Sequence, residues 1–386
     1  MSNPNSTRNL YLLVVLIDSD IRKGACGSCW RMYPGVMPMR AIRILFARYL
    51  LASFVGLACL GAVEALAADE NRQPIAIQFS FDRPVNAGVA PVILAMTDGL
   101  FGSEGLAVAT NVAAGSPEAI ARVASGDSEF ALVDLNALIR FRDNQAPPVK
   151  AVFILFNKAP YAIVARKSRG IRALADLEGK TLGVAQGDLS LLLWPALAHH
   201  NGIKLASVKQ RQMSPAVREP MLSAGQVDAV TGFSYLSAVN LRDRGVPADD
   251  LAVLRFADYG CEAYGFAVIV NPAFAARRPE AVKGFLRAMT AATSLAIREP
   301  AHAVDEVLDR MDDGSRDLEL ERLHAVIQDN ILTSEVKRNG IGAVDPERLE
   351  RSIDQVGEDV KFSRRPSASD IFDGSFLPPR GDRLIN

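Results

Sequence analysis

The sequence has few cysteines, few tryptophans and no excess of charge of either sign. Its 386 residues include 4 Cys and 2 Trp, and 43 Lys and Arg stand against 44 Asp and Glu. Four cysteines are too few for a disulfide scaffold, and balanced charge argues against a nucleic-acid-binding protein or a disordered charged tail. The chain is long enough for about two domains, each with its own core.

Long apolar runs and local catalytic motifs are also missing. The apolar run at 49–63 has about 15 residues, fewer than the ~20 that a membrane-spanning helix needs. The sequence contains no HExxH, GxSxG or Walker motif. We therefore expect neither a resident metal nor a cofactor, and no catalytic residue is predicted.

The first 67 residues have the pattern of a secretory leader. Basic residues follow Met39, the apolar run comes next, and Ala65-Leu66-Ala67 provides a small-x-small cleavage site. We expect residues 1–67 to be a leader with a cleavable signal peptide, and translation to start at Met37 or Met39. A retained anchor is the alternative, which the short apolar run disfavours.

Removal of this leader would leave an acidic chain with one thiol. Residues 68–386 carry 36 basic and 41 acidic side chains, and they keep only Cys261 and Trp194 of their residue types. A single cysteine cannot form an internal disulfide, and an unpaired thiol is tolerated when buried. We expect an exported, periplasmic protein, a monomer that binds no nucleic acid.

Short apolar runs alternate with helical patterns along residues 68–386. This order predicts an α/β class with mostly parallel sheets. Two such βαβ series are joined by two extended passages, which predicts one lobe from 68–158 plus 266–386, a second lobe from 159–265, and a cleft between them. The strands are predicted at 75–79, 106–112, 130–133, 149–155, 161–165, 181–185, 208–213, 227–232, 251–256 and 266–270.

Glycines, helix caps and prolines mark the strand-to-helix junctions, as in Gly115-Ser116-Pro117-Glu118 and Ser214-Pro215. Ser116 is expected to cap the helix that Pro117 begins. In open α/β sheets, ligands bind at the carboxyl ends of the strands, near helix N-termini. The alternative is that these junctions are ordinary turns that need such residues for geometry alone.

Several motifs, in order along the chain, resemble the NMT1/THI5-like periplasmic solute-binding proteins of ABC importers. They cover residues 68–386 almost throughout, at 81–88, 95–108, 125–131, 174–184, 222–230, 345–350 and 369–378. The resemblance implies a type II periplasmic-binding-protein fold, a two-lobed "venus flytrap" with a two-strand hinge. It also implies that an ABC permease in the inner membrane receives the ligand.

The resemblance further implies a set of ligand-binding positions in both lobes and the hinge. One position departs from the family, because Asn86 stands where many pyrimidine-binding members have histidine. The ligand candidates are a pyrimidine or other heteroaromatic compound, an aromatic carboxylate and a sulfonate. The implied residues are Arg83, Asn86, Gly115, Ser116, Asn136, Lys158, Tyr161, Gly187, Asp188, Trp194, Pro215, Phe233, Tyr235, Tyr259 and Glu262.

Four of the conspicuous residues each have two interpretations. Trp194 is either a stacking platform for a planar ligand or a core aromatic. Arg83 either pairs with an acidic ligand or is a solvated loop residue. The adjacent His199 and His200 suggest a metal site, but neighbours do not share a helix face, and histidine also suits a helix C-terminus.

These observations favour a binding protein that is not an enzyme. The wider family includes a desulfinase with a cysteine nucleophile and pyrimidine synthases with a Cys-rich site, and Cys261 is the one cysteine that remains after residue 67. An enzyme of that kind is the second hypothesis. A ligand-sensing periplasmic protein is the third.

Overall fold

The computed structural model describes residues 73–142, 148–185 and 187–385. The predicted leader at 1–67, with its cleavage site and both proposed start codons, lies outside the described residues. Among the described helices, none combines the length and the apolar composition that a membrane crossing requires.

The described strands form two five-stranded sheets with related topologies. Sheet one has the order β2-β1-β3-β10-β4, and sheet two has the order β7-β6-β8-β5-β9. The strands are β1 (Ile75–Phe81), β2 (Leu106–Val112), β3 (Phe130–Asp134), β4 (Lys150–Ile154), β5 (Tyr161–Arg166), β6 (Thr181–Ala185), β7 (Lys209–Met213), β8 (Ala229–Phe233), β9 (Leu251–Arg255) and β10 (Phe266–Val270).

Helices connect most of the parallel strands and extend the chain after β10. They are α1 (Ala90–Thr97), α2 (Leu100–Ser103), α3 (Ser116–Ser125), α4 (Leu135–Arg142), α5 (Leu189–His200), α6 (Arg218–Ser223), α7 (Ser234–Asp243), α8 (Pro272–Arg277), α9 (Pro279–Arg298), α10 (Pro300–Leu308), α11 (Arg316–Val326), α12 (Ser334–Asn339), α13 (Pro346–Asp359) and α14 (Ala368–Ile371). The predicted α/β class is confirmed.

Each sheet combines four strands that run in one direction with one antiparallel strand that enters from the other sheet. The strands β1, β2 and β3 are parallel, and β10 runs antiparallel to β3 and β4. In sheet two, β6 is parallel to β7 and β8, and β5 runs antiparallel to β8 and β9. The chain crosses between the sheets twice, from Ile154 to Tyr161 and from Arg255 to Phe266.

Packed apolar side chains hold the two sheets and their helices in place. Under sheet one, the Phe130 and Phe285 rings stack with centroids 4.1 Å apart. A second buried cluster contains residues from both sheets together with Leu349 and Ile353 of α13. This shared cluster fixes the carboxyl edges of the two sheets near one another, where the candidate site lies.

Candidate functional site

A cavity of about 650 Å³ lies where the carboxyl ends of strands from both sheets meet. Residues that follow β1, β2 and β3 form one wall, and residues at or after the carboxyl ends of β6, β7 and β8 form the other. We call these the sheet-one wall and the sheet-two wall. The lining residues are Asp82, Arg83, Ala114, Gly115, Ser116, Pro117, Ala137, Arg140, Phe141, Ala185, Gly187, Asp188, Leu189, Leu192, Pro215, Arg218, Gly232 and Phe233.

The sheet-one wall contains a closed ion pair between two adjacent residues. Arg83 donates from Nε and Nη2 to the two carboxylate oxygens of Asp82, both at 2.7 Å. The Arg83 guanidinium also lies 3.8 Å from the ring centre of Phe266 and 4.9 Å from that of Phe233. Arg83 is thus held by bidentate pairing with Asp82 and by two aromatic faces.

Ser116 connects this pair to the backbone of the buried residue Asp134. Its hydroxyl donates to Asp82 Oδ2 at 2.5 Å and accepts from the backbone N–H of Asp134 at 3.1 Å. The expectation that Ser116 caps its own helix is wrong, since Gly115 occupies the cap position of α3 with φ of 122°. A left-handed φ of this kind favours glycine, which frees the serine side chain for Asp82.

Asp134, at the end of β3, lies in a fully buried hydrogen-bond network between the two sheets. The Tyr161 hydroxyl of β5 donates to Asp134 Oδ2 at 2.5 Å, and Asn136 donates to Oδ1 from its backbone N and from Nδ2. Burial raises the pKa of Asp134 to about 6, against the lowering effect of these hydrogen bonds. Burial, and then the neighbouring Asp134, raise the pKa of Tyr161.

The sheet-two wall contains a second aspartate–arginine pair with a different geometry. Arg218 donates from Nη1 alone to Asp188 Oδ2 at 2.7 Å, and the same nitrogen donates to the Thr231 carbonyl oxygen at 2.8 Å. The Thr231 hydroxyl also donates to Asp188 Oδ2. Ser190 donates to Asp188 Oδ1 from its backbone N and its hydroxyl, so Asp188 caps α5.

Seven of the predicted ligand-binding residues line this cavity, and they come from both walls. From the sheet-one side these are Arg83, Gly115 and Ser116; from the sheet-two side, Gly187, Asp188, Pro215 and Phe233. Their roles as ligand-binding residues stay predictions.

The other predicted residues lie elsewhere, and five of them are in or near the buried core. Trp194 is fully buried in the cluster shared by both sheets, so its ring does not face the cavity. Asn136 and Tyr161 belong to the Asp134 network. Tyr235 is buried against Phe156, and Asn86 accepts a hydrogen bond from the backbone N–H of Gly88.

Lys158, Tyr259 and Glu262 lie in the two passages between the sheets. The Lys158 backbone N–H donates to Asn330, and the Tyr259 carbonyl accepts from Asn201. Glu262 pairs with Arg348 at 3.4 Å. These three residues hold the passages against neighbouring helices.

The lining residues that sequence reasoning missed include three charged ones, Asp82, Arg140 and Arg218. Asp82 directly precedes Arg83, and this opposite charge beside a predicted ligand-binding residue could have indicated that Asp82 belongs to the same site. Arg140 comes four residues after Asn136, which places both on one face of α4. Arg218 comes three residues after the predicted helix start at Pro215, within the first turns where ligands are expected.

Two side-chain groups in the described residues could hold a metal ion, and both lie outside the cavity. His199, His200 and Glu358 form an exposed group, and Asp98, His302 and Glu306 form another. His200 Nε2 lies 2.9 Å from Glu358 Oε1, which is also the geometry of an ordinary surface ion pair.

Comparison with known proteins connects this chain to one sequence family. The family described as "NMT1/THI5 like" matches residues 86–303. The *Escherichia coli* periplasmic aliphatic sulphonate binding protein SsuA is similar in structure, with a TM-score of 0.62 and 15% identity over 77% of this chain and 96% of SsuA. This likeness confirms the predicted periplasmic-binding-protein fold.

Curated relatives with similar sequences have two kinds of name. The 4-amino-5-hydroxymethyl-2-methylpyrimidine phosphate synthase of *Schizosaccharomyces pombe* is 25% identical over 56% of this chain, and the match spans 64% of the synthase, under two thirds of its length. The riboflavin-binding protein RibY of *Chloroflexus aurantiacus* is 25% identical over 76% of this chain and 83% of RibY.

These relatives correct one expectation from the sequence. The expectation that the chain is not an enzyme is contradicted, because curated relatives from fungi and from *Legionella pneumophila* are named as synthases. The expectation rested on missing motifs and scarce cysteine. One fold hosts both binding and catalysis, so a missing local motif does not decide between them.

Proposed function

The chain belongs to the NMT1/THI5-like family, and on that premise we propose that its cleft captures a small organic solute in the periplasm and delivers it to an ABC permease. The observation that carries the proposal is the cavity of about 650 Å³ bounded by the strand ends of both sheets. Pockets of a few hundred Å³ with apolar walls and a few convergent polar groups are typical of small-molecule sites.

The topology supports closure of two lobes on the solute. In this proposal, lobe one comprises 68–158 plus 266–386, lobe two comprises 159–265, and a signal peptide within 1–67 directs export. The two passages between the sheets, at 155–160 and 256–265, would act as the hinge. Hinge closure around a ligand needs only a few such connecting segments to change conformation.

A heteroaromatic compound is the first ligand class in this proposal. Phe233, Phe141 and Pro215 provide flat apolar surfaces in the cavity. The names of the curated relatives point to a pyrimidine and to riboflavin, both heteroaromatic. Aromatic carboxylates are the second class and sulfonates are the third. Sulfonates are included because the chain is similar in structure to a sulphonate-binding protein.

Thermal unfolding with a ligand panel tests the proposal. Pyrimidines, flavins, aromatic carboxylates and alkyl sulfonates should be added to purified protein, and one class should raise the melting temperature. A ligand at 100 times its Kd adds about 2.7 kcal/mol to the free energy of unfolding. Failure of every class to shift the transition would overturn the proposal.

A matched pair of tryptophan substitutions places the binding site. Leu192→Trp fills the cavity wall and should abolish the shift, whereas Leu205→Trp, at a surface position 39% exposed, should leave it intact. Equal binding by both variants would mean that the ligand binds outside the cavity.

A pyrimidine phosphate synthase is the second candidate function, favoured by the names of the curated relatives. Complementation distinguishes it from solute capture. Residues 68–386, produced in the cytoplasm of a host that lacks its own pyrimidine synthase, should restore growth without added pyrimidine only if the chain is a synthase. Failure to grow, with folded protein present, would count against this candidate.

A further inference from the structure

Arg218 is a partly buried cation whose hydrogen-bonding capacity is only partly used. It begins α6, its side chain is 16% exposed, and it lines the cavity. Both of its recorded hydrogen bonds come from one nitrogen, Nη1. A guanidinium group has five N–H donors in a rigid plane, so most of its donors remain available.

The remaining nitrogens of Arg218 have no acceptor in the described part of the chain. Nε is buried without a hydrogen-bond partner, and Nη2 makes no hydrogen bond in the same residues. Buried polar groups in proteins nearly always find partners, and an unmet one calls for an explanation. An acceptor that a ligand brings into the cavity would satisfy this group.

Asp188 holds Arg218 in place and does not compete for a ligand. Both of its carboxylate oxygens are occupied, Oδ1 by Ser190 and Oδ2 by Thr231 and Arg218. Its negative charge is therefore shared among four donors. Asp188 is a positioning residue that presents the guanidinium to the cavity.

The charge of the lining residues also favours an anion. The lining contains three arginines and two aspartates, and each aspartate already pairs with an arginine. The third arginine, Arg140, has a long contact of 3.3 Å to Asp359. The positive end of the α3 dipole points to the same space, since Gly115, Ser116 and Pro117 line it.

The rest of the lining is apolar, which indicates that the part of the ligand beyond its charged group is apolar as well. Leu189, Leu192 and Phe141 line the cavity beside these charged groups. We propose that Arg218 binds the acidic group of the ligand, so that the cleft takes organic oxyanions: a carboxylate, phosphate or sulfonate attached to an apolar or aromatic body. This rests on the proposed function and narrows its ligand class.

Calorimetric titration with matched probes tests this assignment on the purified protein. The anionic probes are benzoate, phenyl phosphate and benzenesulfonate, and the neutral probe of similar shape is benzamide. At least one anion should bind the wild type at least tenfold more tightly than benzamide. The anion that binds best identifies which oxyanion the site prefers.

Three variants then assign the preference to one side chain. Arg218→Gln should weaken binding of the preferred anion by about 10- to 100-fold, the loss expected for a charged hydrogen bond, and should leave benzamide binding within about twofold. Arg218→Lys should recover part of the loss, because it keeps the charge and loses the planar fork. Arg211→Gln, on the exposed strand β7, is the control and should bind like the wild type.

Two results would overturn the assignment. One is that none of the three anions binds; the other is that Arg218→Gln affects anions and benzamide equally. Either result leaves the proposed solute capture to be decided by the neutral pyrimidines and flavins of the thermal panel, so the two failures are distinguishable.

Discussion

Each wall of the cavity contains an aspartate–arginine pair, and the two pairs have different hydrogen-bond geometries. On the sheet-one wall, Arg83 uses Nε and Nη2 on Asp82 and packs on two aromatic rings. On the sheet-two wall, Arg218 uses one nitrogen on Asp188 and keeps the others without acceptors among the described residues. Each arginine makes two hydrogen bonds, but Arg83 uses its Nε–Nη2 edge on Asp82, whereas the same edge of Arg218 has no acceptor among the described residues and is available to a ligand.

The partners of the two aspartates explain the difference. Among the described residues, Asp82 accepts side-chain hydrogen bonds from Arg83 and Ser116 alone, so its charge is compensated mainly by the arginine. Asp188 has the Ser190 and Thr231 donors in addition to Arg218. The Asp188 carboxylate therefore needs only one hydrogen bond from its arginine.

Removal of the sheet-one arginine should have the largest effect on stability. Arg83→Met leaves Asp82 as a buried charge without its cation, and should lower the free energy of unfolding by about 3 kcal/mol. Arg218→Met should cost about 1 kcal/mol, because Asp188 keeps its other donors. Urea denaturation measures both.

A double variant supplies the control for the sheet-one pair. Asp82→Asn combined with Arg83→Met removes both charges and should be more stable than Arg83→Met alone, as expected for coupled partners. Equal costs for Arg83→Met and Arg218→Met would contradict the contrast between the walls.

The buried carboxyl behind the sheet-one wall should make stability depend on pH. The pKa of Asp134 is raised to about 6, against about 3.9 in an unfolded chain. The folded protein therefore holds this proton more tightly, and the contribution of Asp134 to the free energy of unfolding falls as pH rises from about 4 to about 6. The fall should be on the order of 2 kcal/mol.

Asp134→Asn should remove this part of the pH dependence. The amide oxygen can still accept from Asn136, and the Tyr161 hydroxyl can turn to accept from the amide. Urea denaturation at pH 4, 5, 6 and 7 should give a flatter profile than the wild type. An unchanged slope would show that Asp134 is ionised throughout.

Two buried hydroxyls allow a smaller and closely matched comparison. Ser116→Ala removes the donor to Asp82 and leaves the backbone N–H of Asp134 without its acceptor, so it should cost about 2 kcal/mol. Thr231→Val removes one of several donors to Asp188 and should cost about 1 kcal/mol. Chemical denaturation of the two variants side by side checks the order, and a reversed order would contradict the account of the two aspartates.

The smallest expected effect concerns Arg140, which is 28% exposed. Arg140→Gln should weaken binding of an anionic probe about two- to threefold at low salt, and less at 0.5 M salt, because exposed charges are screened. Titration at two salt concentrations measures this. A loss as large as that of Arg218→Gln would make Arg140 the main anion-binding residue.

The sequence predicted the strands well because their signal is local. The apolar run at 130–133 became β3, and the run at 266–270 became β10 with the same bounds. The roles of side chains were harder, because they depend on contacts between distant segments. Trp194 lies on the α5 face that packs into the shared core, and nothing in the pattern of α5 distinguishes that face from the one toward the cavity.

The contacts of the charged residues were also hard to predict from the sequence. Arg83 was expected to meet a ligand or solvent; it lines the cavity, and two of its nitrogens donate to the neighbouring Asp82, a contact that the sequence pattern did not predict. Arg218 has no sequence feature that separates it from a solvated helix residue. Its unsatisfied nitrogens become visible only when Thr231 and Asp188 are placed beside it.

The position of β10 in sheet one has a consequence for how the chain folds. This strand lies between β3 and β4, with Val268 beside Leu132 and Phe153, yet it is synthesised after every strand of sheet two. Sheet two can form from one continuous segment of the chain. Sheet one is complete only after β10, which lies far along the chain, has paired with β3 and β4. Such non-local pairing slows folding, so the second sheet should act as an early folding unit, and closure of the first should limit the rate at which the whole site assembles.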